Sequence, residues 1–162
     1  MSVRMTDDQL HAWQLFHVAG ERLRRELGRE MWAEAQLSDA EFTVLANVSL
    51  AEGRGAQVRP AECARAIGWE SSRLAHQLRR LEQRGFIQRG PGAGDGRASV
   101  ITLTDAGRGA YKAALGPHLR STKRWFADAL SGEQTAALTD ALEALMAHID
   151  SRTGAPVPGD AS

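Results

Sequence analysis

The stretch GFIQRGPGAGDGRASVITLTDAG, residues 85–107, decides how the rest of the chain is read. It opens with Gly85, a helix stop, and runs on as a short apolar strand, Phe86-Ile87-Gln88-Arg89. Gly90-Pro91-Gly92-Ala93-Gly94-Asp95-Gly96 follows. It is too rich in Gly and Pro for helix or central strand and reads as a loop. The chain returns through Arg97-Ala98-Ser99-Val100-Ile101-Thr102-Leu103, where β-branched residues concentrate as strands prefer. Thr104-Asp105 then carries an N-cap signal for a new helix. Two strands around a long tip make a wing over 86–103. Just before it lies a helix dense in arginine, 71–84. Helix then basic wing is the layout of a winged helix-turn-helix that reads DNA.

The residues leading into the wing fit that layout. Ser38-Asp39-Ala40-Glu41 is a capping box that starts a helix carrying Phe42, Leu45, Ala46 and Val48 to about Ala51. Pro60 suits the first position of a short helix that Gly68 stops. Trp69-Glu70-Ser71-Ser72 supplies the turn and cap before the arginine-dense helix, whose Leu74, Leu78 and Leu81 form one apolar stripe. Helix, Gly-containing turn, helix is the helix-turn-helix signature. With that stripe inward, Ser72, Arg73, His76, Arg79, Arg80 and Gln83 face outward. Arginine and histidine there can donate to phosphates or to guanine acceptors in the major groove. An arginine-rich face is also a common solvated surface. A solubilising face normally alternates signs, however, and Glu82 is the lone acid between Ser71 and Arg84.

The outer helices carry narrow seams. Over 7–34, Leu10, Trp13, Phe16, Gly20, Leu23 and Leu27 recur at three- and four-residue steps. Such a seam needs a surface to bury it, and a second copy of the chain is the natural one. After the wing a helix runs from Asp105 toward Leu130, with a kink or break expected at Gly116-Pro117. Ser131-Gly132-Glu133-Gln134 is another capping box, opening a helix with Leu138, Leu142, Leu145, Met146 and Ile149. The expected organisation is an N-terminal dimerisation helix 7–34, a DNA-binding lobe 37–104, C-terminal dimerisation helices 105–151 and a disordered tail 152–162. The fold class is mainly α with a small β-wing.

Composition narrows the function. The 162 residues suit one domain of ordinary size. Formal charge is zero, yet between Arg54 and Arg97 nine arginines face four acids, a local excess of five positive charges. Cys63 is the lone cysteine, which excludes an internal disulfide and a Cys-based cluster within one chain. No apolar run is long enough for a bilayer, and residues 1–6 lack a signal peptide's basic-then-apolar order, so a cytoplasmic protein is expected. The histidines, 11, 17, 76, 118 and 148, have no metal-ligand spacing, and only a cross-helix pair such as His17 with His118 stays open. Nothing arranges an activated nucleophile or a phosphate loop, so no enzyme, cofactor or metal is expected.

The motifs resemble those of the MarR family (multiple antibiotic resistance regulators), dimeric winged-helix transcription factors. Asp95-Gly96-Arg97 followed by Leu103-Thr104-Asp105-Ala106-Gly107 is similar to the family's D-x-R, spacer, L-T-x-x-G wing motif. Arg80 and Leu81-Glu82-Gln83-Arg84-Gly85-Phe86-Ile87 resemble the family's recognition-helix end and first wing strand. The resemblance covers about 10–149. It implies a homodimer on a pseudo-palindromic double-stranded operator, acting as a repressor released by a small-molecule ligand. It also implies that Arg97 enters the minor groove, held by Asp95. The candidate DNA contacts are therefore Ser71, Ser72, Arg73, His76, Gln77, Arg79, Arg80, Asp95 and Arg97. Gln77 departs from the family, where many members are apolar, and His76 stands where members often have Arg or another polar contact. The family's effector site lies between the dimer helices and the DNA lobe, where Trp13, Phe16, His17 and Trp32 could line a pocket. Cys63 lies outside the first helix, where the peroxide-sensing branch carries its cysteine, and reads as a buried thiol. The rival reading is a dimeric protein-interaction module that keeps the fold and does not bind DNA.

Overall fold

A computed structural model of the chain describes residues 4–92 and 99–153. In order it contains α1 (Asp7–Ala35), α2 (Asp39–Gly53), α3 (Pro60–Ala66), α4 (Ser71–Gln83), β1 (Ile87–Pro91), β2 (Ser99–Leu103), α5 (Asp105–Trp125), a 3-10 turn (Ala127–Ala129) and α6 (Gly132–Thr153). The chain divides into two compact units after Thr122, inside α5.

Local chemistry explains most boundaries of the first unit. Ser38 caps α2 through the Glu41 N–H, while the Glu41 carboxylate accepts the Ser38 N–H in return. Pro60 opens α3, and Gly68 leaves it in the left-handed region at φ 67°. The core is then assembled from α2, α3, α4 and the wing root. Val44, Leu45 and Val48 of α2 meet Leu74, Leu78 and Leu81 of α4, with Cys63 of α3 and Ile101 and Leu103 of β2.

The wing is a two-stranded antiparallel ribbon whose register runs from Ile87↔Leu103 to Pro91↔Ser99. Its root, Ile87, Ile101 and Leu103, is in the core, and Val100 further out is also buried, while Gln88, Arg89, Pro91 and Ser99 are exposed. On β2's other side, the Ile101 N–H donates to the Val58 carbonyl at 2.8 Å. Thr104 then joins wing to α5. Its N–H bonds to the Phe86 carbonyl, its hydroxyl donates to the Gly85 carbonyl at 2.6 Å, and the same hydroxyl accepts the Gly107 N–H at 3.0 Å. Gly107 has no alternative here, because a Cβ on it would lie 1.9 Å from the Phe86 carbonyl oxygen. The T-x-x-G spacing is thus a cap plus a close backbone approach.

Several boundaries differ from expectation. β1 begins at Ile87 and continues through Gly90 and Pro91, into the stretch whose Gly and Pro content predicts a loop. Both strands of a two-stranded ribbon have an open edge there, so Pro91 interrupts no central ladder. α4 is capped at Glu70, with no side-chain cap bond, and Ser71 and Ser72 are its first two residues. α5 is continuous through Pro117 and ends at Trp125 instead of near Leu130. Gly116 lacks the Cβ that a following proline ring would crowd, which eases passage.

In the second unit, the predicted box at Ser131 forms, with the Gln134 N–H donating to Ser131 Oγ and the Ser131 N–H to Gln134 Oε1. α6 extends to Thr153, so Arg152 and Thr153 are helical rather than tail. No residue of α6 is buried, and Leu142, Leu145, Met146 and Ile149 lie exposed.

Candidate nucleic-acid interface

The outward face of α4 is the candidate surface. Leu74, Leu78 and Leu81 are at most 1% exposed, which pins the helix and orients everything else on it. Ser71, Ser72, Arg73, His76, Arg79 and Arg80 are all exposed. Arg73, His76 and Arg80 fall at steps of three and four, as do Ser72, His76 and Arg79, so they share one face.

Individual side chains are held in different ways. The Arg73 guanidinium lies 4.1 Å from the centroid of the Trp69 ring, a cation–π contact that braces it from the turn before the helix. Gln77 is half-buried rather than outward, and its Oε1 is buried without a hydrogen-bond partner. Arg84 is taken up by structure. It donates to Glu41 Oε2 at 2.9 Å and to the Gln36 carbonyl at 2.8 Å, and lies over the Phe86 ring. Arg89 of β1 makes a two-pronged pair with Glu82 at 2.8 and 2.5 Å, which holds that carboxyl below its ordinary range. The lone acid of the helix is thus the tie between recognition helix and wing. Among the described residues, Arg80, Arg84 and Arg89 of the arginines counted from sequence are engaged in ion pairs, Arg80 with Glu41 at 3.7 Å. Asp95 and Arg97 lie outside the described residues.

Two anchors escaped sequence reading. Glu52, at the end of α2, accepts the Leu103 N–H at 2.9 Å and pairs with Arg108 of α5, fastening the wing root. Glu41 is fully buried beneath α4. Burial pushes its carboxyl up, but the Ser38 N–H, the Arg84 guanidinium and the Ser38 hydroxyl outweigh that and hold it below the usual value. These partners are 43 and 56 residues apart in the chain, beyond any local pattern.

The candidate effector residues divide. Trp13 stacks on His17 at 6.2 Å and lies 6.4 Å from Phe16, all three exposed on the N-terminal half of α1. Trp32 is about 28 Å further along the helix axis and is not brought to them within this chain. His118 packs on Phe42 at 4.3 Å instead of approaching His17, and burial lowers its pKa. Cys63 is buried, its thiol pushed up to about 11. Among the described residues, no group of three or more His, Cys, Asp or Glu could hold a metal ion, and no helix is long and apolar enough to cross a membrane.

A helix-turn-helix whose second helix bears exposed arginines, followed by a two-stranded ribbon, defines a winged helix-turn-helix protein. No protein-family model matches the chain. It is 31% identical over 96 residues to the HTH-type transcriptional regulator PecS of Dickeya dadantii (strain 3937), over 58% of this chain and 56% of PecS. The match thus spans about half the length of that relative. The fold superposes on AbsC, a MarR family transcriptional regulator from Streptomyces coelicolor, with a TM-score of 0.82 and 26% identity, covering 93% of this chain and 99% of AbsC. It also superposes on Sco3205, a MarR family regulator from the same organism solved in complex with DNA, with a TM-score of 0.80 and 22% identity, over 97% of each chain. In sequence and fold the chain is thus similar to MarR family transcriptional regulators. The relatives it matches are transcriptional regulators, not enzymes.

Proposed function

We propose that this chain is a sequence-specific regulator of transcription that binds double-stranded DNA as a homodimer, in the cytoplasm and without catalytic activity. The observation that carries the reading is the exposed face of α4, where Arg73, His76, Arg79 and Arg80 stand together beside the wing. Among the described residues, Arg73 and Arg79 form no ion pair. Cations at this density repel one another unless an anion covers them.

In this reading Ser71, Ser72, Arg73, His76, Arg79 and Arg80 enter the major groove or touch its flanking phosphates. Gln77 contributes through its amide edge, and the wing places Arg97, oriented by Asp95, in the minor groove. Two half-sites lie roughly one helical turn apart. The functional division is a dimerisation helix over 7–34, the DNA lobe over 37–104 and closing helices over 105–151. The exposed Leu10, Trp13 and Phe16 of α1 supply apolar surface for the second copy. Repression relieved by a small molecule is the regulatory mode, with Trp13, Phe16, His17 and Trp32 as candidate walls once two copies meet.

The test is binding to the duplex upstream of the chain's own gene, against a scrambled duplex, at two salt concentrations. Tight, sequence-dependent binding that weakens steeply with salt is expected. No affinity for either duplex at low salt would leave the fold serving protein interaction alone.

A further inference from the structure

We propose that Glu41 is a positioning residue for Arg80. In this arrangement a buried carboxylate behind the recognition helix fixes one edge of the guanidinium and leaves the other edge for a DNA phosphate. The proposal rests on the DNA-binding reading above.

The two oxygens of Glu41 differ. Oε2 accepts from the Ser38 N–H, the Ser38 hydroxyl and Arg84, each at 2.9 Å. Oε1 is equally buried and accepts no hydrogen bond. The cation facing it is Arg80, whose Nη2 stands 3.7 Å away, an ion-pair distance just longer than a hydrogen bond. A buried carboxylate oxygen without a donor is costly, so a slight approach by Arg80 is favourable.

Arg80 is suited to two partners at once. Its side chain is 47% exposed, against 30% for Arg84 one turn later. Arg84 is committed on every side, to Glu41, the Gln36 carbonyl and the Phe86 ring. Arg80 faces Glu41 through one nitrogen only and opens onto a concavity that it shares with His76, Gln83 and Arg84. A planar guanidinium can bond along two edges, whereas an ammonium acts as a single point charge. Held at one edge, Arg80 reaches a phosphate with less rotamer freedom left to lose.

Neutralising an acid near DNA ordinarily tightens binding by removing repulsion. The proposal predicts the opposite sign. In Glu41→Gln the amide oxygen can keep the bonds to Ser38 and Arg84, which turns the amide NH₂ toward Arg80, donor against donor.

The experiment uses the full chain and the duplex that the wild-type protein enriches from a randomised pool. E41Q is expected to bind that duplex about tenfold more weakly, the scale of one lost charge-assisted hydrogen bond. Its salt dependence should be shallower by about one unit of slope per half-site. The double variant E41Q/R80A should bind no more weakly than R80A. A merely structural role for Glu41 would shift melting and leave the salt slope in place. Tighter binding by E41Q, or losses that multiply in the double variant, would overturn the proposal. Because E41Q could impair folding, Arg80→Lys provides a second route that leaves the buried carboxylate intact. R80K should lose nearly as much affinity as R80A, and wild-type affinity in R80K would overturn the proposal while leaving DNA binding in place. Failure of the wild-type chain to enrich any duplex would instead remove the DNA reading itself.

Discussion

Two leucine-bearing stripes, one on α4 and one on α1, follow the same spacing rule and meet opposite fates. Leu74, Leu78 and Leu81 of α4 are sealed against α2, α3 and the wing root. Leu10, Trp13 and Phe16 of α1 remain 45%, 57% and 51% exposed, and the first buried residue of that helix is Met31. The C-terminal half of α1 is tied to α5 through Ser121 with Glu30 and Arg120 with Glu34. The N-terminal half has no such partner among the described residues of its unit. Periodicity therefore identifies a face that must be covered, and says nothing of whether the same chain covers it.

The largest effect should come from breaking the sealed stripe. Leu78→Ala removes a side chain 1% exposed in the centre of the core, and should destabilise the lobe by about 2–5 kcal/mol in urea unfolding. Phe16→Asp, on the open stripe, should leave lobe stability within about 0.5 kcal/mol. Sedimentation should instead show a dimer turned into a monomer. A large loss of stability in the monomeric lobe would mean that the two stripes are not different in kind.

Smaller effects separate the polar surfaces that each stripe carries. Arg73→Ala should weaken operator binding by about 1–3 kcal/mol and relax preference at one base pair if Arg73 reads an edge. A uniform loss on all sequences, with a shallower salt slope, would place it on a phosphate. Trp69→Leu keeps Arg73 but removes its brace, and should cost about 0.5–1 kcal/mol of binding, the scale of an exposed cation–π contact.

The smallest effect at neutral pH is the protonation of Glu41, whose folded carboxyl is held below its ordinary value. Its contribution to stability should be fully present above the unfolded carboxyl range of about 4.3 and lost as pH falls through the folded value. Wild-type and E41Q unfolding free energies should therefore differ by a constant amount from pH 7 to about 5 and converge below about 4. A difference that changes between pH 5 and 7 would assign the linkage to another group, with half-buried His118 the first to test.

The parts of the site that were legible in sequence are those made within a few residues. Ser38 with Glu41, Pro60, Gly68 and Gly85 set helix ends through caps and left-handed turns, and each behaves as its chemistry demands. The outward face of α4 followed from the positions of three leucines. Gln77, absent from that face and kept only among the candidate contacts, lies half-buried between Leu74 and Leu81. The Arg89–Glu82 pair was invisible, since charge counting assigns arginines to a surface without saying which acids they meet.

By itself, the sequence determined the order of the elements, the inward stripe of α4 and the helix-start signal at Thr104-Asp105. Backbone caps and side-chain periodicity are local properties, written within about one or two turns. Only the tertiary structure decided which charges are spent inside the protein and which remain outside. Glu41 lies beneath Arg80 and Arg84, and Glu52 beneath the wing root, because the packing of α2 brings carboxylates from one helix against groups 39 to 51 residues away. That proximity arises from burial of the shared leucine core, and no spacing along the chain encodes it.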